Sequence, residues 1–400
     1  MNPLNNSEIA LLKKAGLTDR EIAQIENNKD VCEQCKKMLE QTPANILPNL
    51  GGVYMNLGIS YYRQADYTKS LEYYEKSRRV LDKILPPEHL NLAIIYMNIG
   101  VTYNGMDNHK HALVFHNKSR AIREKKLPRN HPDLAVLYLN LGITYNGLAD
   151  YDKAFDYFQK CKVVFEKMQP PNYFYLGALY MNLGNAYNGA TDYNQAIACY
   201  EKSVQIFEQF MPSEYSILAL LYMNIGLTYN SLADYTKALD YYEKCGVIRE
   251  KILPKNHPDL GKLYLNIGNT YNNMEDHANA LGYYEKSRAV YKKISPQDNV
   301  DLAGAHMNMA NVYKNMDSYA IALKHYEKCR AIFEKALPKN HLNVLNLYLN
   351  MAFLFYNQQQ YTKALLYCKK VLAGTKDVIP HNQSLLDEAE ELYNLINKNR

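Results

Sequence analysis

The stretch Tyr222-Met-Asn-Ile-Gly-Leu-Thr-Tyr-Asn230 decides the fold, because near-copies of it recur every 42 residues. Tyr138-Leu-Asn-Leu-Gly-Ile-Thr-Tyr-Asn146 is one such copy, and the third residue of the phrase gives Asn56, Asn98, Asn140, Asn182, Asn224, Asn266, Asn308 and Asn350 without a slip. A fixed period of this length means one supersecondary unit stacked along the chain. Eight units of 42 occupy 336 of the 400 residues, so a single elongated repeat domain is expected.

Working outward from that stretch, Tyr222, Ile225, Gly226 and Tyr229 fall at i, i+3, i+4 and i+7, one face of a first helix. Leu232-Ala-Asp234 interrupts the pattern. Ala238, Leu239, Tyr242 and Cys245 resume it on a second helix, which Leu253-Pro254 ends, since proline cannot continue a helix. His257-Pro258-Asp259-Leu260 opens the next unit with Pro258 suited to a first helical position. Each repeat therefore reads as helix–turn–helix, and the fold class is all-α.

A glycine inside a helix costs about 1 kcal/mol relative to alanine, yet Gly58, Gly100, Gly142, Gly184, Gly226 and Gly268 all keep it. Close approach by the partner helix is the expected reason. Ala112, Ala154, Ala196, Ala238, Ala280, Ala322 and Ala364, twelve residues after the glycine position, are expected to supply the small contact from the other side. Cys161, Cys245 and Cys329 share a repeat position with Ser77, Ser119, Ser203 and Ser287, which asks for a small buried side chain. Repeats seven and eight drift: His306 replaces the first tyrosine, Ala310 and Ala352 replace glycine, and Cys368 replaces an aromatic residue.

In these residues the chain resembles a tetratricopeptide-repeat protein: an aromatic, then Leu/Ile-Gly, Tyr, Ala and a further aromatic at that family's spacing. The long unit, with connectors such as Leu127-Pro-Arg-Asn-His-Pro-Asp-Leu134, is similar to the repeats of kinesin light chains and nephrocystin-3-like proteins. Residues 1–50 lack a heptad run, which departs from kinesin light chain. The resemblance implies a right-handed α-solenoid, with a helical N-terminal cap at 1–50, eight repeats over 51–373 and a capping helix within 374–400. Ser384 is expected to N-cap that last helix.

Asn224 lies two residues beyond Tyr222, about 200° around a helix, and so points away from the core face. The resemblance puts the first helices along a concave groove. Asn98, Asn140, Asn182, Asn224, Asn266 and Asn308 then form a ladder of amides, which pairs with a peptide backbone whatever its sequence. The same row could instead bond a neighbouring repeat and stitch the stack together. Asn104, Asn146, Asn188 and Asn230, six residues on, would edge the groove. Met97, Met181 and Met223, within the row Met55, Leu139, Leu265, Met307 and Leu349, give an adaptable apolar strip that serves either a binding surface or packing between repeats. Lys262 and Lys314 could anchor an acidic residue. Protein, as an extended peptide segment, is the expected partner.

A net charge of +5 with Lys and Glu interspersed argues against a nucleic-acid track. No apolar run approaches the length of a membrane span, and Met1–Glu8 shows no secretory signal. Cys32 and Cys35 form an isolated C-x-x-C, a weak metal signal, and the scattered cysteines suit a reducing, cytoplasmic setting. No phosphate loop, metal-spaced cluster or nucleophile motif appears, so neither catalysis nor a cofactor is expected. His89, His131, His257 and His341 recur in the connectors and read as caps. Two alternatives remain from the sequence. One is self-association through Tyr73, Tyr157, Tyr241, Tyr283 and Tyr367 on an outer face, giving a homo-oligomer; the other is a targeting module for an enzyme.

Overall fold

The computed structural model describes residues 9–10, 12–13, 17–26, 46–294, 299–375 and 383–398, and the helices below are those of the described residues. A short helix α1 (Asp19–Glu26) precedes eight helix pairs. The first four are α2 (Ile46–Arg63) with α3 (Tyr67–Leu81), α4 (Leu90–Gly105) with α5 (His109–Lys126), α6 (Pro132–Gly147) with α7 (Tyr151–Phe165), and α8 (Tyr173–Gly189) with α9 (Tyr193–Phe210). The next four are α10 (Tyr215–Ser231) with α11 (Tyr235–Ile252), α12 (Pro258–Asn273) with α13 (His277–Ile294), α14 (Val300–Asn315) with α15 (Tyr319–Ala336), and α16 (Leu342–Asn357) with α17 (Tyr361–Thr375). α18 (Gln383–Lys398) closes the series. The chain divides into two compact units, Met1–Met211 and Pro212–Arg400, with four repeats in each.

The turn inside each pair is set by one left-handed residue. Ala65, Asp107, Ala149, Thr191, Ala233, Glu275, Asp317 and Gln359 all have φ between 54° and 62°, and none is glycine. At Ala233 the amide N–H donates to Asn230 O (3.1 Å) and that of Asp234 to Tyr229 O (3.0 Å), the Schellman pattern that satisfies orphan carbonyls. Asp234 also caps the second helix, its Oδ1 accepting from Lys237 N (3.3 Å). One residue thus ends one helix and starts the next. Hydrogen bonds from the lysine three residues on hold the carboxyls of Asp66, Asp150 and Asp234 below the ordinary range.

Four of the connectors between repeats are closed by histidine and two by asparagine, Asn172 and Asn299. Nδ1 of His89, His131, His257 and His341 accepts the backbone N–H two residues on at 3.1–3.2 Å, as the capping reading expects. Pro258 and Pro132 stand at the first turn of their helices. The buried guanidiniums of Arg123 and Arg249 reach across the connector to Asp133 O (2.5 Å) and Asp259 O (2.8 Å).

The helical glycines meet rings, not the alanines. A Cβ at Gly226 would lie 2.5 Å from the Tyr242 ring; at Gly142 it would lie 2.4 Å from Phe158, and at Gly184 2.5 Å from Tyr200. The partner is the aromatic sixteen residues later, and Ala154, Ala196 and Ala238 are buried at the helix crossing without being that contact. Two alanines stand at the glycine position: Ala352 has the small Cys368 as its counterpart, whereas Ala310 keeps an aromatic one, Tyr326, and all four are buried. The shared Ser/Cys position is fully buried as expected. Ser77, Ser119 and Ser203 donate to the carbonyls of Gly51, Ala93 and Gly177, at 2.6–2.8 Å.

The tyrosines proposed for an outer contact face are already engaged. Tyr73, Tyr157 and Tyr367 are buried; Tyr241 and Tyr283 are half-buried. Each stacks on the first-helix ring at 5.4–5.7 Å, Tyr61, Tyr145, Phe355, Tyr229 and Tyr271 respectively. Lysines cover the other side: Lys76, Lys160, Lys244, Lys286 and Lys370 sit 4.4–5.0 Å from these ring centroids. In repeat seven His325 takes the place of that tyrosine, 5.6 Å from the Tyr313 ring, and its Nδ1 faces Nδ1 of His306 at 3.1 Å.

At the ends, Leu12, Leu17, Ile22 and Ile25 pack on Leu50, Val53 and Leu57, while Leu385, Ala389, Leu392 and Ile396 continue the core of the last repeats. α18 begins at Gln383, so Ser384 lies inside the helix and does not cap it; its hydroxyl donates to Glu388 (3.4 Å). Cys32 and Cys35 lie outside the described residues.

Two outcomes follow from this packing. Gly226→Ala should destabilise by about 1–3 kcal/mol in a urea melt, because crowding of Tyr242 outweighs the gain in helix propensity; increased stability would contradict the ring contact. Burial pushes the imidazoles of His116 and His306 down to about 4. A depressed basic group stabilises the fold above its unfolded value near 6.5, and that contribution, about 3 kcal/mol for His116, is lost as pH falls from about 6.5 toward 4. His116→Phe, matching Phe158 of the next repeat, should lessen the fall of the urea midpoint over that window, with the remainder belonging to His306.

Candidate interaction surface

First helices of successive repeats lie against one another in both units: α2, α4, α6 and α8 in one, α10, α12, α14 and α16 in the other. Second helices stack chiefly on the first helix of the following repeat. The residues that first helices share are therefore brought into one row within each unit.

Asn98, Asn140, Asn182, Asn224, Asn266 and Asn308 are all half-buried along this row. Asn140 Nδ2 donates to Val136 O (2.9 Å) and Asn182 Nδ2 to Ala178 O (2.8 Å), both within their own helix. Asn98 makes no side-chain hydrogen bond among the described residues. In the second unit the amides turn to neighbours: Asn266 Nδ2 to Met223 Sδ (3.3 Å) and Asn308 Nδ2 to Asn269 Oδ1 (3.0 Å). The backbone is fixed beneath them by threonines four residues on. Thr102, Thr144, Thr228 and Thr270 each donate to the carbonyl of the ladder asparagine at 2.8–3.0 Å.

The second row stitches repeats. Asn104 Nδ2 donates to Thr144 Oγ1 (2.9 Å) in the next repeat, and its Oδ1 lies 3.1 Å from His109 Nδ1. Asn230 Oδ1 meets Thr270 Oγ1 (3.0 Å) at the equivalent place with the threonine as donor, so that its one hydroxyl proton is shared between Asn230 Oδ1 and Asn266 O. Asn146 and Asn188 are half-buried at the equivalent place. Because the Thr144 hydroxyl is committed to Asn140 O, Nδ1 of His116, 3.0 Å away, must carry the proton it donates to Thr144. The amides of Asn185, Asn269 and Asn311 accept from Tyr200, Tyr284 and Tyr326 hydroxyls, a pairing that Ile143 avoids because its ring is Phe158.

Met97 and Met181 are half-buried and Met223 is buried. Met97 packs against Leu137, Leu141 and Tyr157, so this strip spans adjacent repeats. Lys262 is exposed, whereas Lys314 is half-buried, its Nζ 3.4 Å from Asn350 Oδ1 and 5.8 Å from the Phe353 ring. Burial draws the Lys314 ammonium below the ordinary lysine range. The inter-repeat bonds of Asn104 and Asn230 leave no mark in a single sequence beyond the Asn–Thr spacing of 40.

Among the described residues no group of three metal-ligating side chains occurs, and no helix is long and apolar enough to cross a membrane. The tetratricopeptide repeat family matches residues 50–125, 175–245, 216–293 and 301–377, with a further match of the same description at 135–162. The chain belongs to the tetratricopeptide repeat family. Members of this family are protein-interaction scaffolds, and the solved structures similar to this one share its solenoid. One is a signal transduction ATPase with numerous domains and a tetratricopeptide repeat sensor, from Pyrococcus horikoshii, with TM-score 0.64 at 13% identity, covering 98% of this chain and 66% of that one. The apo form of RapI follows with TM-score 0.61 at 16% identity, covering 76% and 82%. The apo form of the quorum sensor NprR from B. thuringiensis gives 0.57 at 15%, covering 86% and 97%. No curated protein matches the sequence.

The two asparagine rows should respond differently to truncation. Asn104→Ala is expected to lower stability by about 1–2 kcal/mol, since it strips Thr144 of a buried partner. Asn98→Ala should stay within about 0.5 kcal/mol of the parent. Equal losses in paired urea melts would contradict the division of roles.

Proposed function

We propose that this tetratricopeptide repeat protein takes an extended segment of a protein partner along the first-helix face, with the ladder asparagines reading its backbone. The observation that carries this is the bonding of Asn98, Asn140 and Asn182. They lie in register, only half-buried, and Asn140 and Asn182 spend one amide proton on their own helix, leaving Oδ1 and the second N–H for a ligand. An amide with a donor and an acceptor to spare matches the alternating carbonyl and N–H of a peptide in extended form. The threonine bonds beneath Asn98 and Asn140 hold their backbone still, which lowers the ordering cost of binding.

Selectivity would come from the side chains that flank the ladder. Met97, Met181 and Met223 offer polarizable apolar contact, Leu227 is exposed, and Lys262 is placed to meet an acidic residue. Likeness to the quorum sensor and to RapI is a likeness of fold, and the reading rests on this chain's own residues.

A partner captured from lysate and mapped to a short segment supplies the probe. The triple variant Asn98/Asn140/Asn182→Ala and its second-unit counterpart Asn224/Asn266/Asn308→Ala are compared with the parent by calorimetry. At least one should lose roughly a hundredfold in affinity, two or three hydrogen bonds of about 1 kcal/mol each. Undiminished affinity in both, with unchanged melts, would overturn the proposal.

A further inference from the structure

In the second helix of five of the eight repeats one position carries a cation that its neighbours surround. Arg78, Arg120, Lys162, Arg288 and Arg330 occupy it at intervals of 42 or its multiples. The acceptors around them recur as well. A glutamate three residues earlier binds Arg78 and Arg288, Glu75 at 2.8 Å and Glu285 at 2.6 Å. An acid four residues later lies beside Arg78, Arg120, Lys162 and Arg330, namely Asp82, Glu124, Glu166 and Glu334, at 2.6–4.0 Å. A tyrosine of the next repeat accepts from two of them, Tyr157 from Arg120 and Tyr367 from Arg330, the latter at 2.8 Å.

In repeat five the position is Gly246, yet every acceptor is still there. Glu243 stands three residues before it, Glu250 four after, and Tyr283 at the place of Tyr157 and Tyr367. Tyr264 donates to Glu250 (3.2 Å) just as Tyr138 does to Glu124 and Tyr348 to Glu334. Neither Glu243 nor Glu250 forms an ion pair among the described residues. Where the guanidinium would lie there is an open cleft of about 740 Å³, walled by Asp240, Glu243, Glu250, Tyr264, Tyr283 and Lys286. Val204 and Leu372, the other positions without a cation, turn their own apolar side chains to the core instead.

We infer that this cleft binds the guanidinium of an arginine side chain presented by a partner protein. The chain itself shows the chemistry in parts: two carboxylates hold Arg78, and a carboxylate with a phenol holds Arg120 and Arg330. Three carboxylates against one ammonium favour a cation, and the planar fork of a guanidinium matches carboxylate acceptors. Lys286 does not compete for the place: its ammonium covers Tyr283 at 4.4 Å, as Lys370 covers Tyr367 at 5.0 Å while Arg330 is bound. The cleft lies between the second helices of repeats five and six, away from the asparagine ladder, so it is a separate site.

The test uses N-acetyl-arginine amide as probe on the full chain, followed by methyl shifts of Val247 and Leu263. Saturable shifts are expected, with N-acetyl-lysine amide roughly tenfold weaker and Glu250→Gln weakened by a similar factor. Gly246→Arg should fill the cleft from within and abolish binding. A Cβ at Gly246 meets only Leu263 Cδ2, at 3.4 Å, so the variant folds, and Gly246→Ala controls for helix propensity while retaining the probe. Absent shifts in the parent, equal binding of the lysine amide, or binding that persists in Gly246→Arg would each overturn the assignment. Ethylguanidinium that binds while the amide is excluded would assign the cleft to a free guanidino compound and overturn the partner reading.

Discussion

The contact between a helical glycine and the ring sixteen residues later governs the rest of this molecule. It brings the two helices of a repeat so close that no Cβ fits between Gly226 and Tyr242, or between Gly142 and Phe158. Once that distance is fixed, the left-handed turn at Ala233 and the double-duty cap at Asp234 have one geometry available to them. The following repeat then meets the same surface as the one before it. Identical local constraints, applied at a constant interval, align first helices with first helices and so create rows of equivalent side chains. Function in such a protein resides in how each row departs from or preserves its pattern.

Much of this was legible in the residues. The period, the helix–turn–helix unit, the break at Leu232-Ala-Asp234, the capping histidines and the small buried Ser/Cys position follow from spacing and side-chain size, and the structure has all of them. Less legible was which residue faces which. Ala238 has the right size to oppose Gly226 but lies at the crossing, and the ring of Tyr242 does the opposing; helical periodicity gives a face, not a partner. Pairwise changes carry that information. Ala352 with Cys368 in place of glycine with an aromatic is the clearest instance. Tyr73, Tyr157 and Tyr367 looked solvent-facing from their spacing, and they are buried because first-helix rings and lysine stems cover both of their sides.

The asparagines show why a row is not by itself a site. Two rows of the same residue type, six positions apart, are used differently: Asn104 and Asn230 bond a threonine in the next repeat, while Asn140 and Asn182 bond only the preceding turn of their own helix. The difference comes from rotation about the helix axis, which turns the second row toward the following repeat and leaves Asn140 and Asn182 half-buried, whereas in the second unit Asn266 and Asn308 reach the preceding repeat. Gly246 makes the complementary point. There a pattern is kept in every acceptor and broken only in the donor, and the break opens a cleft of defined chemistry.

Methionine methyl groups offer the most direct view of the central claim, that a partner segment lies along the first-helix face. Met97, Met181 and Met223 flank the asparagine ladder, while Met106, Met274 and Met316 sit exposed on the intra-repeat turns. Methyl spectra of the labelled full chain, titrated with a captured partner segment, should show shifts at the ladder methionines and leave the turn methionines in place. Shifts confined to Met106, Met274 and Met316 would contradict the account.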